Sequence, residues 1–519
     1  MKKVCCFLTL ITSIAVAESD LMEQATKNAE VNRKALLACR RYLEAWLQFA
    51  DPATHLIPRN LSRDFYWNAK DAAADNYPFM VLSAYFTSKP TLDGILTDIL
   101  KTEQKVCNRV DRLPDDWDFR TQAFRTPEYR IENLIFGAAE YAKDGLVPIT
   151  EMIGPSPWSD RMLALLEDIW KHATIQTEVG LLPDTSHEVA GDLMQSLARM
   201  YWMTKNPRYK EWAFQLAAYF LMHHLPTDTD RLQIDDHGCE VIGGLAEVYC
   251  IAANEDPDRH AAWRAPMHKM LDRVLEIARD EHGLFLSLVN PRTGEWLTED
   301  RTDNWGYTYN AYLSVAQVDK DRKDYVDAVL FVLKNLPQVA DYPWEGDKSD
   351  GIADSLEGGL NLMNRFPVPE AVSWADHMTG RLLSKQRDTG IIEGWHGDGN
   401  FARTALMVAF WKSLGAYVDP WRADVGVGAV PTEKGIQVVV TSQWPYQGRL
   451  CFDRPRHSEL LHMPQDYPRL NQFPEWFTVS PETQLISDTG DLYDGKRLRE
   501  GLAISTDRDK PFQIQLGKP

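Results

Sequence analysis

One recurring pattern limits what this chain can fold into. A polar or Gly-rich loop opens into a helix of small and aromatic residues, a short turn follows, and a charged amphipathic helix returns. The openings fall near Asp71 (KDAAADNYP), Glu132 (YRIENLIFGAAEY), Glu188 (SHEVAGDLMQSL), Glu240 (DDHGCEVIGGLAEVY), Asn304 (TDNWGYTYNAYLSV), Asp354 (SDGIADSLEGGLNLM) and Asn400 (GDGNFARTALMVAFW). They recur every 46 to 64 residues, a length that suits a two-helix hairpin with its loops. Apolar residues return at three- and four-residue spacing in Leu193 to Trp202, Ile242 to Ile251 and Leu406 to Leu414, the period of a helix. The returning segments, such as Tyr209 to Met222 and Asp321 to Lys334, keep charge on one face, as outer helices do.

Seven openings, with Met22 to Phe49 as the first outer helix, predict a mainly α fold: an α/α toroid of six or seven helical hairpins over residues 18–422. Small residues in the inner segments (Ala72-Ala73-Ala74, Gly243-Gly244, Gly358-Gly359) allow close packing about a central axis. The alternative is an open α-solenoid that binds partners along its concave face. Beyond Trp421 the character changes. Short β-type runs at Gly435 to Thr441, Arg449 to Phe452, Trp476 to Val479 and Phe512 to Leu516 are separated by Pro, Gly and Asp turns. They predict a small β-rich C-terminal module, residues 423–519, that caps the toroid or binds carbohydrate.

Charge excludes one class of partner. The 56 Lys and Arg against 75 Asp and Glu leave a net −19, which repels phosphate backbones, so no nucleic-acid partner is expected. An acidic substrate would need local Arg, His or Lys. The 17 Trp and 19 Tyr suit sugar-stacking clefts and large helical cores equally. Lys2-Lys3, the apolar run Val4 to Ala17 and its Ala15-Val16-Ala17 ending read as a signal peptide, residues 1–17, cleaved after Ala17. That predicts a periplasmic or secreted protein, and no later run supplies the ~20 apolar residues of a membrane span. The remaining Cys39, Cys107, Cys239, Cys250 and Cys451 are scattered, with no C-x-x-C pair, which argues against a disulfide framework or a structural zinc site.

In a toroid the loops that open the inner helices converge on one mouth, and here they are dense in reactive side chains. Glycoside hydrolysis needs two carboxyl groups flanking the bond, one to protonate the leaving oxygen and one to attack or to activate water. Glu188, Asp236, Asp303 and Asp354 are the candidates. His187, His237, Asn304, Tyr307, Tyr309, Trp395, His396 and Arg403 are candidate substrate-binding residues. Polysaccharide β-elimination needs a base and a group that neutralises a uronate carboxylate. Tyr307 or Tyr309, with Asn304, His237 or His187, and Arg403, would supply such a set. Asp350 and Asp398 precede helices and read as N-caps, while Glu240 and Glu357 sit in first turns, where the helix dipole favours acids. No H-x-x-x-H or H-E-x-x-H spacing occurs, so neither metal nor cofactor is expected.

The organisation of residues 20–422, with a trailing β module, resembles the α/α-barrel carbohydrate-active enzymes, the six-hairpin glycosidases and related polysaccharide lyases. YPWEGDKSDGIADSLEGGLNLMNR (Tyr342 to Arg365) and IIEGWHGDGNFART (Ile391 to Thr404) look similar to bacterial β-glucuronidase-type hydrolases. The Cys-rich zinc site of the arabinofuranosidase relatives is absent. The resemblance implies an exported glycoside hydrolase on plant or algal oligosaccharides or polysaccharides, with a uronic acid released or recognised. A polysaccharide lyase on the same scaffold is the alternative, and a non-catalytic α-solenoid binding protein a second.

Overall fold

The computed structural model describes residues 18–519 apart from 64, 236 and 237. The segment expected to be a signal peptide, residues 1–17, therefore lies outside the described residues. Fourteen helices alternate between an outer and an inner layer. The outer ones are α1 (Glu18–Leu47), α3 (Thr97–Val106), α5 (Pro157–Lys171), α7 (Pro207–Ala218), α9 (Pro257–Ile277), α11 (Lys323–Asn335) and α13 (Pro369–Ser384). The inner ones are α2 (69–87), α4 (131–153), α6 (His187–Thr204), α8 (Glu240–Glu255), α10 (Trp305–Val318), α12 (Ser349–Arg365) and α14 (Asn400–Ser413). Each inner helix packs on the next, and α14 returns to α2 with α1 lying outside both. The ring closes, so the chain is a toroid of seven hairpins and not an open solenoid.

Local chemistry explains the two layers. Four outer helices begin with proline, at Pro157, Pro207, Pro257 and Pro369, where the missing N–H has no intrahelical partner to lose. Ser156, Asn206 and Asp256 cap three of these, each accepting a backbone N–H from the first turn. Two inner helices are buried on every side over most of their length: all residues of α14, and Val189 to Trp202 of α6, are buried. Such close packing needs small residues at the crossings. A Cβ on Gly306 of α10 would lie 2.4 Å from the Cα of Gly358 on α12, so these two helices meet backbone to backbone.

Two inner helices are not purely α-helical. Ala69–Asn76 in α2 and Tyr141–Leu146 in α4 are π-helical, and they pack against each other. Inserted turns of this kind concentrate at functional sites, and both face the mouth of the toroid.

The chain after α14 forms two antiparallel sheets. Strands β1 (Tyr417–Asp419), β4 (Tyr446–Cys451) and β7 (Leu502–Thr506) make one, in the order β1-β4-β7. The other runs β2-β3-β8-β5-β6, from β2 (Gly426–Pro431), β3 (Gly435–Thr441), β5 (Gln484–Ser487), β6 (Leu492–Asp494) and β8 (Phe512–Gly517). Their own core includes Val427, Val438, Val440, Leu450, Ile504 and Leu516. Strand β2 rests on α1, where Asn28 donates to Ala429 O at 2.8 Å and Asn32 accepts from Val427 N at 3.1 Å. The expected strand Trp476 to Val479 contributes only the bridge of Thr478 to Asp453.

The linker between β4 and β5 does something else. Residues 461–474 leave the sheets and enter the axis of the toroid, and Leu461, Met463, Tyr467 and Phe473 belong to the helical core. A Gly358→Ala variant, which forces α10 and α12 apart where their backbones meet, is expected to lose about 1–3 kcal/mol of stability. Denaturant unfolding followed by far-ultraviolet circular dichroism measures it, with unchanged stability contradicting the backbone contact.

Candidate active site

The first turns of α2, α8, α10, α12 and α14 and the π-helical turn of α4 meet around one cavity of about 120 Å³. Its carboxyl groups come as acids four residues apart: Asp71 and Asp75 on α2, Glu140 and Asp144 on α4, Asp350 and Asp354 on α12, with Glu240 from α8. Residues at this spacing lie one above the other on a helix face, so each helix presents two carboxyls to the same space. Lys70, Lys143, Asn304, Tyr307, His396, Asn400 and Arg403 complete the polar wall, and Leu470 closes its floor.

Buried acids this close together need counter-charges or protons. Lys143, itself buried, bridges Asp144 at 2.7 Å and Glu240 at 2.5 Å, with Asp192 at 3.8 Å. Burial works against its charge, but those carboxylates hold its ammonium well above the usual lysine range. Arg403 reaches Asp354 at 2.6 Å, Glu357 at 2.7 Å, Tyr307 Oη at 3.1 Å and Asn471 Oδ1 at 3.1 Å. Tyr307 Oη donates to Glu357 at 2.8 Å, and Asn304 Nδ2 donates to Asp354 at 3.1 Å.

The two acids of α2 are driven apart. Burial, then the charges of Asp144, Asp71, Glu140 and Asp350, push Asp75 well above the ordinary carboxylate range. Asp71 is also raised by burial. His396 and the hydrogen bonds from Arg59 (2.5 Å) and Asn68 outweigh this and hold it below that range. His396 Nε2 stands between them, 3.8 Å from Asp71 and 3.6 Å from Asp75. The three ligand atoms lie within 4.8 Å of one another, a set that could hold a divalent cation. A cation there would compete with the proton that burial and the neighbouring charges favour on Asp75. Burial raises Asp354 to about 8 against the pull of Arg403, and burial with the nearby Asp350 charge raises Asp398 to about 8.

Of the residues singled out by sequence, Asp354, Asn304, Tyr307, His396 and Arg403 line this cavity. Trp395 stands on its rim, 65% exposed, with the Arg59 and Arg63 guanidinium groups each 5.3 Å from its ring. Glu188 and Asp303 occupy helix openings beside the cavity and do not line it, Asp303 packing against Gly351 instead. His187 stacks edge-on against Phe220 at 5.7 Å, and burial lowers its pKa. Tyr309 is a core residue: its hydroxyl donates to Gly283 O at 2.6 Å and its ring packs on Phe285. Helical spacing turns it away from the face that Tyr307 presents. Asp236 and His237 lie outside the described residues.

Asp71, Asp75, Glu140, Lys143, Asp144 and Asp350 are the site residues that sequence reasoning missed. Asp350 accepts from Asn400 Nδ2 at 2.7 Å across the mouth instead of capping its helix. The signal that could have found them is the repeated pair of acids four apart, D-A-A-A-D and D-G-I-A-D at two openings and E-Y-A-K-D inside the helix that follows a third.

No protein family and no curated protein matches the sequence. Solved structures to which the chain is similar are carbohydrate-active enzymes, the class that its sequence resembles. Cellobiose 2-epimerase from Spirochaeta thermophila matches at 11% identity over 76% of this chain and 98% of its own, with a TM-score of 0.45. The α-1,6-mannanase GH76A from Salegentibacter matches at 12% identity over 72% and 98%, with a TM-score of 0.41. A possible member of the GH105 family from Salmonella enterica matches at 13% identity over 53% and 82%, with a TM-score of 0.39. At these scores the functional reading rests on the site itself.

A carboxyl raised to about 8 binds its proton more tightly in the folded chain than in the unfolded one. Folding stability therefore falls as pH rises from the unfolded value near 4 to about 8. Asp398→Asn mimics the protonated form and keeps an acceptor for Phe401 N. Thermal unfolding is expected to show the wild type losing Tm over this window and the variant losing less. Parallel curves would contradict the retained proton.

Proposed function

We propose that this protein is an exported glycoside hydrolase acting on oligosaccharides or polysaccharides, with Asp75 as the proton donor and Asp71 as its ionised partner. One observation carries the reading: two neighbouring carboxyls at the cavity mouth have environments that push their protonation in opposite directions. Glycosidic cleavage asks for such a pair, an acid that protonates the leaving oxygen and a carboxylate that attacks or activates water. His396 lies between them, its Nε2 3.8 Å from Asp71 and 3.6 Å from Asp75. Asp350, on the facing helix and tied to Asn400, is the carboxylate placed to act if Asp71 serves only to position His396.

The same geometry weighs against β-elimination. Tyr309 is locked in the core, and burial pushes the Tyr307 hydroxyl far above the range of a useful base. The charge of the cavity also weighs against a uronic acid. Lys143 and Arg403 are both engaged by carboxylates, and Lys70 lies over the ring of Phe136 at the exposed edge. A sugar carboxylate entering among these acids meets repulsion, so a neutral sugar is the preferred occupant, recognised by hydroxyl hydrogen bonds to Asp350, Asp354 and Asn304. Export rests on the basic and apolar N-terminal segment.

A panel of neutral and uronate-containing glycans, followed for released sugar and for new ultraviolet absorbance, tests the class of reaction. Released sugar without absorbance is expected, and absorbance rising with each cleavage would make the enzyme a lyase. On the glycan cleaved, Asp75→Asn is expected to lower kcat by about 10²–10⁴. The loss should shrink on an aryl glycoside whose leaving group needs no proton. Asp71→Asn should be equally damaging on both, and full turnover by either variant would contradict these roles.

A further inference from the structure

The chain beyond the toroid brings a buried polar group to the acids. The linker between β4 and β5 enters the axis, and its residues 467–474 are all buried. Inner helices hold it from several sides. Ser314 of α10 donates to Pro468 O at 2.8 Å, and Arg199 of α6 donates to Leu470 O at 2.7 Å. Arg469 makes a two-pronged pair with Glu151 of α4, both contacts at 2.8 Å. Asn471 follows directly, fully buried, with a φ of 60° that asparagine tolerates better than most residues.

The side chain of Asn471 joins two walls of the cavity. Its Nδ2 donates to Asp144 on α4 at 2.9 Å, and its Oδ1 accepts from Arg403 Nη1 on α14 at 3.1 Å. Its backbone N–H donates to Glu357 on α12 at 2.9 Å. A guanidinium only donates and an ionised carboxylate only accepts, so the amide has one orientation here. A carboxylate or an aliphatic group of the same size would lose one of these side-chain contacts or both.

Arg403 carries the effect to the substrate side. Its Nη2 reaches Asp354 Oδ1 at 2.6 Å and Glu357 at 2.7 Å, while its Nε has no hydrogen-bond partner among the described residues. The guanidinium is planar and rigid, so the contact of Nη1 with Asn471 sets the direction from which Nη2 meets Asp354. Asn304 holds the other oxygen of Asp354 at 3.1 Å.

We infer that Asn471 is a positioning residue for Asp354: acting through Arg403, it aims the carboxyl that receives a sugar hydroxyl, so the chain beyond the toroid takes part in binding substrate. This rests on the hydrolase reading above, in which Asp354 recognises a hydroxyl of the sugar, and deepens it. Asn471 acts only through its neighbours. Freed from it, Arg403 can swing, and Asp354 moves with the guanidinium to which it is paired.

The test uses the full chain and a glycan that the panel shows to be cleaved, with kcat and KM measured well below the unfolding temperature of each variant. Asn471→Gly removes the amide and eases the backbone at φ 60°. A role in the turn alone predicts wild-type activity, and partial unfolding lowers kcat without moving KM. The positioning role predicts a raised KM and a kcat/KM lower by about 10–10²-fold. Tyr467→Phe removes a contact with Asn254 at 2.8 Å that involves none of the cavity's acids, and it is expected to keep the wild-type KM. If Asn471→Gly does not fold, Asn471→Asp takes its place, since aspartate matches the size and tolerates the same φ. Its carboxylate repels Asp144 and draws Arg403, so the same rise in KM is expected. A wild-type KM in the folded Asn471 variant, or an equal rise in Tyr467→Phe, overturns the inference and leaves the hydrolase reading intact. No cleavage of any glycan by the wild type overturns the hydrolase reading and this inference with it. Cleavage accompanied by new ultraviolet absorbance overturns the hydrolase reading alone, since KM then still reports the placement of Asp354.

Discussion

Carboxyl groups crowded into a space shielded from water repel one another, and the arrangement of this molecule's mouth answers that repulsion. Seven acids line a cavity of about 120 Å³. Removing any such charge from bulk water is costly unless it is paired or neutralised. Lys143 and Arg403 serve as buried counter-ions, each shared among several carboxylates, and the buried Arg59 pairs with Asp71. Where cations run out, protons stay: burial and like charge keep Asp75 and Asp354 in their neutral forms more readily than free carboxyls. A site that must donate a proton to a leaving oxygen gains its acid from the same crowding that the fold has to tolerate.

The rest of the architecture makes that crowding possible. Inner helices bring their first turns to one end because each outer helix returns the chain to the start, and close crossings such as Gly306 on Gly358 keep the ring tight. The π-helical turns in α2 and α4 place Asp71, Asp75, Lys143 and Asp144 on two adjoining segments. The C-terminal sheets, which stand against α1, contribute through the linker that they anchor. Asn471 reaches Asp144, Glu357 and Arg403 from below, so a residue far along the chain completes the hydrogen bonding of the acids and closes the pocket. Toroid and sheet module together make one site.

Much of this was legible in the sequence. Glu132, Glu188, Glu240, Asn304 and Asn400 each stand within a residue of where an inner helix begins, because loop polarity and helical periodicity report the same boundary. Asp354, Asn304, Tyr307, His396 and Arg403 were recognisable as polar groups at converging openings. The acids Asp71, Asp75, Glu140, Asp144 and Asp350 were not, since an acid in a first turn is equally well explained by capping or the helix dipole. Only the closed ring shows that three such pairs face one another. Tyr309 shows the converse: its neighbour Tyr307 faces the cavity, and a difference of two residues on a helix turns it into the core. The linker that enters the axis had no signal at all. Residues 461–474 carry neither helical nor strand periodicity, and nothing local to them reports that six inner helices, α4 to α14, contact them.

The central claim is that Asp75 keeps its proton where an ordinary carboxyl has lost it. Infrared difference spectra between the wild type and Asp75→Asn, recorded across pH, read that proton through the stretching band of the neutral carboxyl. The account predicts a band belonging to Asp75 that persists well past the usual carboxylate range near 4. A band that disappears within that ordinary range would contradict it, and the assignment of Asp75 as the acid would fall.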